Sequence, residues 1–327
     1  MAGMILRSFA LACAACLTML ANPAAAQSWP TKNITIIVPL APGTGMDTLA
    51  RLYAERLSQS LGKPVIVDNR PGAALMVGAS ALAKSAPDGY TLGVSTSSAM
   101  AINPTLYKQI TYDPEKDFVP VAMFYRTPFF LIVSTSGPYA SVPSLIAAAK
   151  AKPGTVSYGS SYVGSPSHLG SAEFEYLTGA NMIHVPFKDQ SQMYVGIANG
   201  DLGWAFSTLG SALPLMQAGR IKPLAIAARQ RSKALPDVPT MAEAGGPPGL
   251  EVDAWLAVMA PRGTPPEVVR RINADVNKAL ADPEVQQQLQ QFGFEAAAGT
   301  PEQFAEVIRA DAKKYGEIVR RTGATAD

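Results

Sequence analysis

The chain has 327 residues and carries 27 Lys and Arg against 25 Asp and Glu, a net charge of +2, which offers no basic face for nucleic acid. That length is enough for two ordinary lobes, each with a core of its own. The two cysteines, Cys13 and Cys16, both lie near the N-terminus.

The first residues read as a cleavable secretory leader. Arg7 is the only charge before Lys32, residues 9–20 form an apolar run, and Ala24, Ala25 and Ala26 offer small side chains to a signal peptidase. A run of about a dozen apolar residues is too short for a membrane span, which takes about 20. Cleavage is expected before Gln27, delivering a soluble protein to the periplasm. Loss of residues 1–26 removes both cysteines and one positive charge. The remainder carries a net charge of +1, no disulfide and no thiolate nucleophile or metal ligand.

Strand-like and helix-like segments then alternate. Residues 34–40, 65–67, 91–94, 129–133, 156–158 and 222–227 are short, apolar and rich in β-branched side chains, the pattern of strands buried on both faces. Residues 46–60 place Leu49, Leu52, Tyr53 and Leu57 at helical spacing, with Arg51, Glu55 and Arg56 between them. Residues 142–151, 169–177 and 268–280 repeat that pattern. The fold class is therefore α/β, with a mostly parallel sheet expected in each lobe. No flexible linker separates two halves. Instead, apolar segments at 119–133 and 250–260 are suited to carry the chain across a lobe border twice, with borders near 127–132 and 250–256. The expected division is residues 27–128 with 254–327 in one lobe and residues 129–253 in the other. The tail, 301–321, reads as a helix whose start is Thr300, then Pro301, Glu302 and Gln303.

Three turns at strand ends carry the chemistry. The first is Ala41, Pro42, Gly43, Thr44 and Gly45, between a strand and a helix. Glycine lets backbone approach a ligand closely, and a helix start presents unpaired N–H groups to a carboxylate or phosphate. The second spans 159–169, with Ser160, Ser161, Gly164, Ser165, Ser167 and His168 leading into a helix expected near Ser167. The third ends in Ser97 and Ser98. Ligands of open α/β sheets bind at this carboxyl-terminal strand edge.

Other chemistries fit less well. A dinucleotide fingerprint on Gly43 and Gly45, with Asp68 as its acid, fails because Thr48 stands where a third small residue is needed and Asp47 would face the pyrophosphate. A nucleophile elbow near Gly159 fails because Val163 holds its last glycine position. Only His168 and His184 are available to a triad; His168 sits at a helix start and His184 in an apolar strand, where capping or core packing is the simpler role. No spaced His, Cys or acidic cluster points to a metal, and no cofactor is expected.

With these loops in view, the chain resembles the receptors of tripartite tricarboxylate transporters, the Bug or TctC family. The resemblance runs through Pro42 to Asp47 with Ala50 and Arg51, Asp68 to Ala73, Ala86 to Leu92, Ile102 to Pro104, Gly159 and Ser160 with Ser167 to Leu169, His184 to Lys188, Leu235 to Thr240 and Glu243 to Gly245. It implies a type II periplasmic-binding fold, two α/β lobes joined by two hinge strands, with a small organic anion in the cleft. By position it assigns ligand contacts to the loop from Ala41 to Asp47, to Ser97 and Ser98, and to the loop from Ser160 to His168. It implies a membrane permease of two integral subunits as partner, a monomeric receptor and no enzymatic activity. A sensor reporting to a membrane signalling partner would use the same fold.

Departures from the family pattern are Thr44 for a usual glycine, Ser207 for a common aspartate, Asp189 and Gln190 for a small pair, and Arg126 on a crossing segment. Arg126 has two readings: pointing inward, it forks a second ligand carboxylate; pointing outward, it lies solvated at the lobe edge.

Overall fold

The computed structural model describes residues 29–187 and 189–326; the expected leader lies outside them. The elements run β1 (Ile34–Val38), α1 (Gly45–Leu61), β2 (Val65–Asn69), α2 (Met76–Ala83), β3 (Thr91–Thr96), a π-turn (Ser98–Ile102) and α3 (Asn103–Leu106). Next come β4 (Phe118–Pro128), β5 (Phe130–Ser134), α4 (Val142–Ala151), β6 (Ser157–Ser160), α5 (Pro166–Thr178), β7 (Ile183–Pro186), α6 (Gln190–Asn199), β8 (Trp204–Ser207), α7 (Leu209–Gln217) and β9 (Ile221–Ile226). The chain closes with β10 (Asp253–Pro261), α8 (Pro266–Leu280), α9 (Pro283–Gln291), β11 (Glu295–Ala296) and α10 (Pro301–Thr322).

Two sheets result. One has six strands in the order β11-β4-β10-β3-β1-β2, the other five in the order β7-β6-β8-β5-β9. Both faces of each sheet are covered, which is why the strands read as unbroken apolar runs. In the first sheet Ile36 and Val38 face Leu49, Tyr53 and Leu57 of α1 and Ile272 and Val276 of α8. Ile37, between them, points the other way, toward α2 and Phe304 and Ile308 of α10. In the second sheet Leu131 and Val133 face α4 and Phe174 of α5, while Phe130 and Ile132 face Met193 and Ile197 of α6.

The expectation of mostly parallel sheets needs correction. β1 pairs in parallel with β2 and β3, and β6 with β7 and β8. The pairings made by the crossing strands are antiparallel: β10 with β3 and β4, β5 with β8 and β9, and β11 with β4. A strand that carries the chain out of one sheet and another that brings it back run in opposite directions, so they pair antiparallel.

The crossing is compact. β4 ends at Pro128 and β5 begins at Phe130, while β10 begins at Asp253, opposite Pro128. At the border the Phe129 N–H donates to Val252 O (2.9 Å), the Ala227 N–H to Phe129 O (2.8 Å) and the Val252 N–H to Ala227 O (2.9 Å). The two crossings therefore lie side by side and share hydrogen bonds.

Candidate functional site

The first half of the site is the turn between β1 and α1. Gly43 adopts φ +83°, the left-handed region; a Cβ there would meet nothing, so conformation rather than crowding requires glycine. Thr44 caps α1: its hydroxyl accepts from the Asp47 N–H (3.3 Å) and donates to Ala41 O (3.1 Å). Asp47 is 2% exposed and its carboxylate ties the turn together. Oδ2 accepts from the Gly43 N–H (2.9 Å) and Arg51 Nε (3.0 Å), and Oδ1 accepts from Asn69 Nδ2 (2.8 Å). Burial by itself raises the carboxyl pKa, but the hydrogen bonds from Arg51, Gly43 and Asn69 outweigh it and hold the group below its ordinary value. The Asp47 side chain thus braces the loop, and what the turn offers a guest is backbone.

The β1–β3 register sets Ile37 beside Gly93. Ser97 is 1% exposed and its Oγ has no hydrogen-bond partner among the described residues. Its neighbour Ser98 reaches the opposite lobe, with its Oγ 3.0 Å from the Tyr162 hydroxyl.

The second half is the turn between β6 and α5. Ser165 caps α5, accepting from the His168 N–H (3.2 Å), so the helix begins at Pro166, beside the expected start near Ser167. Gly164, at φ +85°, donates its N–H to His168 Nδ1 (3.1 Å). Ser165 and Ser167 hydroxyls lie 2.9 Å apart, and the Ser167 Oγ accepts from the Ser161 N–H (3.4 Å). Ser160 Oγ meets His184 Nε2 at 2.7 Å, and the two imidazoles stack with centroids 4.0 Å apart. Burial pushes both histidines down to about 4, with the proximity of His184 adding to the effect on His168. Both are therefore neutral near pH 7, as a ring accepting the Gly164 amide must be. This loop is less open to an anion than its composition suggests. Pro166 has no N–H to give, and the amides of Gly164, Ser165 and His168 are taken within the loop.

Around these turns the departures noted in the sequence find local partners. Asp189 caps α6 by accepting from the Ser191 N–H (2.9 Å), and Gln190 donates its amide to Ser161 Oγ. Ser207 is buried, 2.7 Å from the Tyr194 hydroxyl, and donates to Thr208 O (3.0 Å). Lys188 lies outside the described residues.

The model of the tripartite tricarboxylate transporter family receptor matches residues 49–324. The chain belongs to that receptor family. It is 37% identical over 306 residues to protein BugT of Bordetella pertussis, covering 93% of this chain and 94% of the relative. A Rhodopseudomonas palustris protein solved with adipate is 36% identical, with a TM-score of 0.82 over 91% of this chain and 99% of that one. MatC of Rhodopseudomonas palustris, solved with bound malate, is 29% identical, with a TM-score of 0.78 over 89% of this chain and all of that one.

Within the receptor, Arg126 is not brought to either turn. Its guanidinium donates to Asp253 Oδ2 through Nε (3.0 Å) and Nη2, and Lys314 Nζ holds Asp253 Oδ1 at 3.3 Å. It lines a depression of about 520 Å³ with Met123, Gln303, Phe304 and Val307. The sequence reading overlooked Asp253, a lone acid opening the apolar strand β10; a charge in that position is the signal that a cation lies opposite. It also overlooked Tyr162, whose hydroxyl reaches across the lobes. Among the described residues no group of three His, Cys, Asp or Glu is arranged to hold a metal.

Proposed function

We propose that the receptor captures a small organic anion bearing at least one carboxylate, closes its lobes on it, and hands it to a membrane permease of two integral subunits. One observation carries this reading. The Ser98 hydroxyl, just after β3, lies 3.0 Å from the Tyr162 hydroxyl in the turn after β6, so a strand end of each sheet meets there, and the neighbouring Ser97 hydroxyl is buried without a partner among the described residues. A buried polar atom without a partner is rare, and helix starts attract carboxylates. The relatives solved with adipate and malate support a dicarboxylate. Ligand contacts are assigned to Ala41, Pro42, Gly43, Thr44, Gly45, Ser97, Ser161 and the turn around Gly164. Asp47, Ser160, Ser167, His168 and Ser207 hold those groups in place. The lobes are residues 27–128 with 254–327, and 129–253, hinged where the crossings pair. Export through the leader, with cleavage before Gln27, puts the receptor in the periplasm. Transport is preferred to sensing because the matched family serves a transporter.

A thermal-shift screen over mono-, di- and tricarboxylates, on chelator-treated protein, tests the reading. A ligand at about 100 times its Kd adds about 2.7 kcal/mol of stability. Ser97→Ala is expected to weaken the best ligand about 3- to 10-fold, the worth of one hydrogen bond. A shift with sugars alone, or binding lost on chelation, overturns it.

A further inference from the structure

We infer that Tyr162 and Ser98 form a clasp that holds the lobes shut, so that Tyr162 sets how long the ligand stays without touching it. The inference rests on the receptor reading above. Tyr162 belongs to the second lobe and Ser98 to the first, 64 residues apart in the chain, and their hydroxyls are 3.0 Å apart. The Tyr162 residue is 38% exposed, so its ring is not locked in a core and its hydroxyl is the anchor.

Both ends of the clasp are preformed. On the second lobe, Tyr162 O accepts from Ser160 Oγ (3.2 Å) and from the Ser165 N–H (3.1 Å), which fixes the backbone that carries the ring. On the first, Ser98 opens the π-turn. The Tyr112 hydroxyl donates to Ala99 O (2.5 Å), and Asn103 Nδ2 donates to Ala74 O (2.9 Å), so the turn is tied down on two sides. Asn103 thereby also secures Ala73, Ala74 and Leu75, three consecutive non-glycine residues at positive φ.

A second contact fits the same seat. Leu106, at the end of α3, lies where a Cβ on Gly164 would be: the gap would be 2.0 Å. Gly164 is therefore required twice, for its positive φ and for the space that lets the first lobe settle onto the turn. The segment Ser98 to Leu106 meets the turn from Tyr162 to Gly164 by one hydrogen bond and one steric fit, at the rim of a buried cluster in which Ala101, Ile102 and Leu106 pack with Leu169 of α5 and Tyr315, Ile318 and Val319 of α10. Opening the lobes must break both, and closing must remake them.

A double-mutant cycle with adipate as probe tests the clasp. Tyr162→Phe keeps the ring and removes the bond. It is expected to raise the adipate dissociation rate about 2- to 10-fold, the range for a neutral hydrogen bond, with association changed less. Ser98→Ala is expected to match it, and the double variant to be no worse than either. Effects that multiply, or no effect in either single variant, overturn the proposal. The ligand-free receptor gives a second measurement, with one spin label on each lobe. Tyr162→Phe and Ser98→Ala should each move the interlobe distance distribution toward longer separations, and Gly164→Ala should move it further. Unchanged distributions overturn the clasp. If adipate does not bind the wild type, the ligand assignment fails, while the distance measurement still judges the clasp.

Discussion

His168 and His184 are the residues whose chemistry most depends on where they sit. His168 Nδ1 accepts an amide hydrogen, so a proton on that nitrogen would set two hydrogens against each other. His184 is stacked between His168 and Tyr158, and burial holds both rings at about 4. An unfolded histidine titrates near 6.5, so as pH falls the unfolded chain takes up protons first. The stability these rings protect is intact above about pH 6.5 and is lost progressively toward about pH 4, at up to about 1.4 kcal/mol per pH unit for each ring. Burial raises Glu175 and Asp311, which therefore act in the opposite direction as pH approaches the carboxylate range. Comparison with a variant isolates the histidines. His184→Gln is expected to flatten the pH dependence of denaturant-unfolding free energy between pH 7 and 5. Parallel profiles for the two proteins would count against this account.

The terminal helix α10 gives the corresponding lesson for an element. Its start was readable because a cap is a local matter: Thr300 accepts from the Gln303 N–H (3.3 Å), and the Gln303 side chain accepts from the Thr300 N–H (2.9 Å). Where it ends was readable too, within one residue, but what that far end binds was not, because its partners are distant in sequence. Arg321 donates to Glu173 of α5 through Nε (2.7 Å) and Nη2, and its guanidinium lies over the Tyr176 ring, so α10 bridges the lobes. Arg321→Ala strands the buried Glu173 carboxylate. It should cost about 1.5–3 kcal/mol, nearer the lower figure because Arg321 is partly exposed. Adding Glu173→Gln should recover part of the loss, since an amide is cheaper to bury than an unpaired charge. Chemical denaturation of the single and double variants measures both effects. The partner of Arg126 was hidden for the same reason. A lone cation on a crossing strand was visible in sequence, but its partner depends on the β4–β10 register, which sets Arg126 opposite Trp255 and Asp253 opposite Pro128.

At the scale of the molecule, buried strands, major helices and crossing segments were legible, because each is written in a local run of side chains. Strand direction was not, since it depends on which sheet a crossing strand joins. The hinge adds a close approach that no local pattern announces. A Cβ on Gly170 of α5 would lie 2.4 and 2.6 Å from the two methyls of Val252, at the border. Gly170→Ala adds about 1 kcal/mol of helix propensity against overpacking of about 1–3 kcal/mol. Val252 is fully buried and cannot yield easily, so a net loss is expected. Scattering should show weaker compaction on adding ligand, and a second change, Val252→Ala, should restore it. Unaltered compaction in Gly170→Ala would show that the helix does not ride on the crossing.

The position of β10 governs the order in which an exported chain becomes a receptor. It stands between β3 and β4, and without it those two strands share no ladder. A chain emerging N-terminus first delivers every strand of the second sheet before β10 arrives. The lobe that emerges first is thus the last to close, and Ser97 and the Ala41–Gly45 turn wait on an unfinished half-sheet. Ligand capture must follow release of nearly the whole polypeptide, so a truncated or stalled chain has no partial binding activity to offer.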